Sequence, residues 1–248
     1  MRPATATRWD VGFDDPMRDV EHGGRLLLAD PPSSMRTTFA ARGLTVDEVT
    51  LRPTGSPRRE RGARHQEAVA PESRPWPFAD AVFDAVLIPD VLAHVIDDRH
   101  VIREAARVLR PGGMLAVRVP YRGPLAWLDP PNVYRYISDA TRRGPNPPET
   151  WGIGWRRHYT RRELDRMLLD AGFGVRRVTG TGIGVAPLLD LVSMLIFRWL
   201  LPWEPVYRAT ISATEEVARV ERRVSLGPAG YWLTIVAERL PDAHAGDG

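Results

Sequence analysis

The chain has 248 residues, of which 43% are hydrophobic and 26% charged, enough for one globular domain with a sizeable core. A net charge of +3 does not by itself point to nucleic acid. There is no cysteine, and all 34 basic residues are arginine, which excludes disulfides, thiolate metal sites, cysteine catalysis and any lysine nucleophile or Schiff base.

Residues 1–23 contain Asp10, Asp14, Asp15 and Asp19 and no apolar core. They read as a polar arm rather than a secretory leader, and a cytoplasmic location follows. Residues 26–29 read as a first strand, 35–42 as a short helix and 44–51 as a second strand. Residues 52–64 hold two prolines, two glycines and five arginines, so a basic loop is expected there instead of a helix. A third strand is expected over 65–70. Residues 83–88 are a short apolar run, as in a strand buried on both faces. Asp97 or Asp98 can cap the next helix, which carries Val101, Ala105, Val108 and Leu109 on one face. Arg110-Pro111-Gly112-Gly113 is expected to stop it, and 114–119 to form the following strand.

Residues 121–159 form a long connection rich in aromatics, including Tyr121, Trp127, Tyr134, Tyr136, Trp151, Trp155 and Tyr159. A connection this long is usually functional or disordered, and the aromatic content argues for the former. Thr160 and Glu163 make a capping box ahead of Leu164, Met167, Leu168 and Ala171, with Gly172 as the stop. Residues 188–201 are the most hydrophobic segment, but 14 residues fall short of a bilayer span, and Asp190 and Arg198 interrupt them. They suit a buried helix, a dimer or partner interface, an interfacial helix at a membrane surface, or a cover over an apolar pocket. Ser212 and Glu215 read as a second capping box, and 231–236 as a last strand. Strands alternating with helices argue for an α/β fold with a parallel sheet covered on both faces.

The ordered words Pro77-Phe78, Phe83-Asp84, Asp90-Val91-Leu92-Ala93-His94-Val95, Glu104 and Arg107-Val108-Leu109-Arg110-Pro111-Gly112-Gly113, followed by His158-Tyr159-Thr160, Glu163-Leu164 and Ala171-Gly172-Phe173, carry a resemblance. Over residues 24–178 the chain resembles a class I S-adenosylmethionine (SAM) dependent methyltransferase of the type 11-like kind. The resemblance implies a Rossmann-like doubly wound sheet of about seven strands, mostly parallel, with an antiparallel C-terminal strand. One domain over 24–240 is implied, with a substrate lid at 121–159, a helical insertion at 187–224 and a tail at 241–248. The implied cofactor is SAM, with no metal. The family's three loop glycines fall on Asp30, Pro32 and Ser34, and Thr50 stands where its ribose-binding acid lies. Proline has no N–H to donate, and a hydroxyl accepts less well than a carboxylate.

The candidate cofactor contacts are therefore Asp30, Ser33, Ser34, Thr50, Glu72 and Asp90. His94 and His158 are the candidate bases, with helix packing and lid anchoring as the alternatives. Tyr121, Trp127, Asp129, Tyr134, Trp155 and Tyr159 are the candidate substrate contacts, although Asp129 also suits a turn. The arginine pairs at 142–143, 156–157 and 161–162 read as solvated surface or as anion contacts. Three functions remain open. The first is methyl transfer to a small-molecule, sugar or lipid-linked acceptor. The second is a partner or scaffold that has lost SAM. The third is a SAM-independent enzyme on the same fold. Peripheral membrane contact is a further possibility, and nucleic acid is not expected.

Overall fold

The computed structural model describes residues 23–31, 33–52, 68–71, 74–95, 97–129, 132–133, 156–199, 203–221 and 230–241. All but the edge residues 23, 52 and 241 of the expected arm over 1–23, basic loop over 52–64 and tail over 241–248 lie outside them. The strands are β1 (Arg25–Ala29), β2 (Thr45–Arg52), β3 (Ala68–Pro71), β4 (Phe83–Pro89), β5 (Leu109–Pro120), β6 (Phe173–Thr181) and β7 (Trp232–Arg239). They form one seven-stranded sheet in the order β3-β2-β1-β4-β5-β7-β6. β1 to β5 pair in parallel, while β7 runs antiparallel to both β5 and β6. The helices are α1 (Ser33–Ala40), α2 (Asp98–Val108), α3 (Arg161–Asp170), α4 (Val185–Trp199) and α5 (Glu204–Glu221).

Alternation along the central strands builds two cores. Val86, Ile88, Leu115 and Val117 point to one face, where α2 and α3 bring Val101, Ile102, Leu164 and Leu168. Leu26, Leu28, Ala85 and Leu87 point to the other, against Met35 and Phe39 of α1. Both faces are dry, so these strands read as continuous apolar runs. Side chains set several boundaries. Asp97 accepts the His100 N–H at 2.8 Å and caps α2, and the Thr160–Glu163 capping box opens α3. Glu104, buried in α2, accepts the Trp76 N–H at 2.6 Å and pairs with Arg107, pinning 74–78 to the helix. Burial alone would raise this carboxyl, but Arg107 and the Trp76 amide outweigh it and hold it below the usual range.

Two expected boundaries move. α2 ends at Val108, and β5 begins at Leu109, before the Pro-Gly-Gly break. Leu109 is recruited into the sheet by Phe83, and the residues between it and Met114 form an irregularity in the β4–β5 register. Gly112 supplies a φ of 78° there. A Cβ on Gly113 would stand 2.8 Å from the Arg110 carbonyl and 3.2 Å from that of Asp84, backbone atoms that cannot yield easily. Gly113→Ala should therefore cost about 1–3 kcal/mol by urea unfolding, an overpacking penalty at a fixed backbone. The second shift concerns the expected box at Ser212. α5 runs unbroken from Glu204 through it, so Ser212 lies inside the helix and caps nothing, and Thr214 bonds Asp190 of α4 at 2.6 Å.

α4 and α5 form a helical pair inserted between β6 and β7. Glu221, at the end of α5, accepts the N–H groups of Val185 and Ala186 at 3.0 and 2.8 Å, so a carboxylate sits on the exposed donors that begin α4. Met194, Phe197 and Tyr207 pack between the two helices.

Candidate functional site

Every parallel strand ends on the same edge of the sheet, and there the side chains of interest gather. β1 ends in Asp30, whose φ of 46° is a left-handed conformation normally left to glycine. The turn toward α1 is therefore kept without the glycine. The Asp30 N–H bonds the Val49 carbonyl at 2.9 Å, and its carboxylate accepts the Leu51 N–H at 3.0 Å. That carboxylate thus faces the end of β2, the side where the ribose-binding acid was sought at Thr50. Thr50 lies in β2 opposite Val69 of β3. Ser33 and Ser34 are the first two residues of α1. Glu72, Tyr134 and Trp155 lie outside the described residues.

β4 ends in Asp90, also left-handed, with φ 71°, at the start of a 3₁₀ turn formed by Val91–Ala93. Strain at a non-glycine residue on a strand end is a pointer to function. The Asp90 carboxylate pairs with Arg156 from the end of the 121–159 connection, while His94 Nε2 stands 3.7 Å away. Burial alone would raise the Asp90 carboxyl, but the Arg156 charge and His94 outweigh it and hold the group below the usual carboxylate range. Arg156 itself is buried, 3.6 Å from Asp129, with its guanidinium carbon 4.6 Å from the centre of the Trp232 ring. Arg118 of β5 approaches the same ring at 5.3 Å. The expectation of a solvated arginine at 156 is thus overturned: the last residues of the connection reach the edge, and two acids and an indole meet the guanidinium there.

Asp129 forms the turn its sequence allowed. Its Oδ1 is 3.3 Å from the Asn132 N–H, and its carbonyl accepts the Val133 N–H at 2.9 Å, making a turn. Its Oδ2 lies 3.1 Å from His158 Nε2. That contact is close but poorly aligned, so by hydrogen-bond geometry both atoms count as unpartnered, along with Asp90 Oδ1, His94 Nδ1, Arg156 Nε and Tyr231 Oη. Burial pushes the Tyr231 phenol up and keeps it protonated. Six buried polar atoms with unmet bonding capacity, all on groups within or beside one cluster, are a concentration that folding alone does not favour.

The remaining described candidates tie the end of the 121–159 connection to its neighbours or lie outside the cluster. The Tyr159 hydroxyl is 2.7 Å from the Leu92 carbonyl and 2.9 Å from Asp98, which Arg157 also pairs with. Tyr121 forms an isolated bridge with Tyr159 and donates its N–H to the Tyr231 carbonyl. Trp127 is 70% exposed. Arg118, Tyr231 and Trp232 were missed as site residues. The one signal in their favour was that 231–236 had to be the strand next to β5, which puts its first residues at this edge.

This strand order, with one antiparallel strand inserted beside β5 and the polar cluster at the parallel strand ends, is the fold of the class I SAM-dependent methyltransferases. Residues 33–117 match the model of the family described as "Methyltransferase domain". Demethylmenaquinone methyltransferase of Mycolicibacterium paratuberculosis is 51% identical over 55 residues, 22% of this chain and 24% of that protein. The 27-O-demethylrifamycin SV methyltransferase of Amycolatopsis mediterranei is 58% identical over 41 residues, 16% of this chain and 15% of that protein. The matches thus span about a quarter or less of these relatives' own length. Among solved structures, a methyltransferase in complex with the Haloferax volcanii Trm112 methyltransferase activator superposes with a TM-score of 0.54 at 20% identity, covering 96% of this chain and 92% of that one.

Proposed function

We propose that the protein is a SAM-dependent methyltransferase acting on a hydroxyl of a small-molecule acceptor, with residues 24–240 as one domain and 121–159 as its lid. The observation that carries this reading is the group of unpartnered polar atoms around Asp129, His158 and Asp90 at the parallel strand ends. The acceptors named for the two curated relatives, a demethylmenaquinone and a demethylrifamycin, are small molecules and favour the same class.

The donor set fits SAM. Asp30 keeps the left-handed turn, and its carboxylate points toward β2, away from where it would oppose the cofactor's own carboxylate. The first amides of α1 have no acceptor within the helix and suit that carboxylate. Asp90 Oδ1 is a buried acceptor without a partner, suited to an ammonium or hydroxyl. Asp30, Ser33, Ser34, Thr50, Glu72 and Asp90 would hold the cofactor. When bound, SAM supplies an electrophilic methyl group.

The chain's own residues do the rest. His158 presents Nε2 to Asp129, which favours a proton on that nitrogen and leaves Nδ1 to accept one from the acceptor hydroxyl. As the proton arrives, Asp129 stabilises the imidazolium. Arg156 and Trp232 close the floor and exclude water, and Tyr231 offers a protonated phenol to an acceptor oxygen.

A second reading is a partner protein that has lost SAM. It is favoured by the Asp30-Pro31-Pro32 turn, where the Asp30 N–H is already bonded and neither proline has one to give. Calorimetry and thermal shift with SAM and its demethylated product separate the two. Under the first reading, ligand at 100 times its dissociation constant stabilises the fold by about 2.7 kcal/mol, and Glu72→Ala weakens binding. No heat and no shift at millimolar ligand, from folded protein, would establish the second.

A further inference from the structure

On α4, solvent exposure and polarity are reversed. Val185, Leu188, Leu189, Val192 and Ile196 are its outward-facing residues, 37–46% exposed. At 100° per residue they occupy one stripe about 100° wide, and no polar side chain interrupts it. Asp190 is turned aside to the Thr214 hydroxyl of α5. The opposite face, with Ala186, Leu191, Met194 and Phe197, is the buried one. The helix is therefore apolar on both sides while being covered on one. Its neighbours mix charge into their outer faces: α5 shows Glu204, Arg208 and Glu216 to solvent beside Val217 and Val220, α3 shows Arg161 and Arg162 beside Leu169, and α2 shows Arg99 and Arg103. Ile183, 41% exposed, extends the stripe at one end, and Trp203, 58% exposed, stands beyond the other.

We propose that this stripe docks on a lipid bilayer surface and that α4 lies in the interface plane with its outer residues among the acyl chains. Four observations favour lipid as the occupant. The stripe offers on the order of 400 Å², within the range of the largest apolar patch on a monomer but only half of the about 800 Å² per partner that a stable dimer buries. α4 has 15 residues, about 22 Å of helix. No described helix is long and apolar enough to cross a membrane, so α4 lies on the bilayer rather than through it. Trp203 at the tip of the hairpin is the residue type that settles at headgroup level. Finally, the net charge of +3 adds attraction to anionic lipid. The hairpin also leaves the sheet at Thr181 and returns at Trp232, the residue stacked on Arg156. Docking there brings the cluster's edge to the bilayer, where an acceptor with an apolar tail would be found. The docking itself does not depend on methyl transfer.

The test is co-sedimentation of the full chain with unilamellar vesicles of phosphatidylcholine, with and without phosphatidylglycerol. The expected result is binding that Leu188→Asp/Val192→Asp weakens at least tenfold and Val192→Trp strengthens, with far-UV circular dichroism unchanged in both variants because the positions face outward. Wild-type protein that stays in the supernatant with both vesicle types would overturn the proposal. So would equal binding by the aspartate variant. Sedimentation velocity supplies the remaining arm: a micromolar dimer dispersed by the aspartate pair would assign the stripe to a second copy and overturn it equally.

Discussion

Arg156→Met should cost about 3–5 kcal/mol of stability, because it removes the charge that two buried carboxylates share. Asp90 and Asp129 would then face each other across an apolar side chain. The sign of the pH dependence gives a sharper check than the size. In the native protein the Asp90 carboxyl is depressed below its ordinary value of 3.8. Its contribution to stability is therefore complete above that value and lost as pH falls through the lower folded one. Without Arg156, burial, the largest influence on this carboxyl, is opposed by His94 alone and raises the folded value above the unfolded one. The variant should then gain stability as pH falls from neutral toward about 5, while wild type gains none. Urea midpoints at pH 7 and 5 measure both. A wild-type-like midpoint in Arg156→Met would show that the guanidinium is dispensable and that the acids are paired in another way.

His158→Ala is the second large effect. A positioned general base contributes roughly 10²–10⁴-fold, so kcat with a phenolic or hydroquinone acceptor should fall by that factor. SAM affinity should stay within about threefold, because a base acts on the acceptor and not on the cofactor. Asp129→Asn tests the orienting role: it should lower kcat while leaving SAM affinity unchanged. An unchanged kcat in His158→Ala would return His158 to the role of an anchor for the 121–159 connection.

Local signals read well from the sequence, and distant partnerships read poorly. The capping box at Thr160 and the Asp97 cap depend on atoms three residues apart, so the chain itself specifies them. The Pro-Gly-Gly break was placed too late because α2 is ended by sheet pairing between Leu109 and Phe83, not by the break itself. The apparent box at Ser212 was overridden because α5 begins earlier, at Glu204, and runs through it, with Tyr207 packed against α4 in the turns ahead of it. Arg156 was the costliest misreading. Its carboxylate partner lies 66 residues away, and nothing adjacent to an arginine pair announces which member will be buried. Asp30 misled in a subtler way. The resemblance places a glycine at this position, yet aspartate tolerates the left-handed region better than most residues, and Asp30 adopts it with φ 46°.

The Glu221 clasp has a consequence for assembly of the chain. Its carboxylate joins the two ends of the α4–α5 hairpin, and the Gly182 carbonyl meets the Tyr231 N–H at 3.0 Å at the point where chain leaves and rejoins the sheet. Nearly fifty residues are thus held by a neck no wider than a β-turn. Such an insertion forms from nearby contacts and makes few demands on the order in which the sheet assembles. β6 and β7 can find their register as a hairpin with the module still loose, and the module can change in length or surface character without disturbing the strands beneath it. The neck separates the helical pair from the polar cluster at the strand ends, and leaves each free to vary alone.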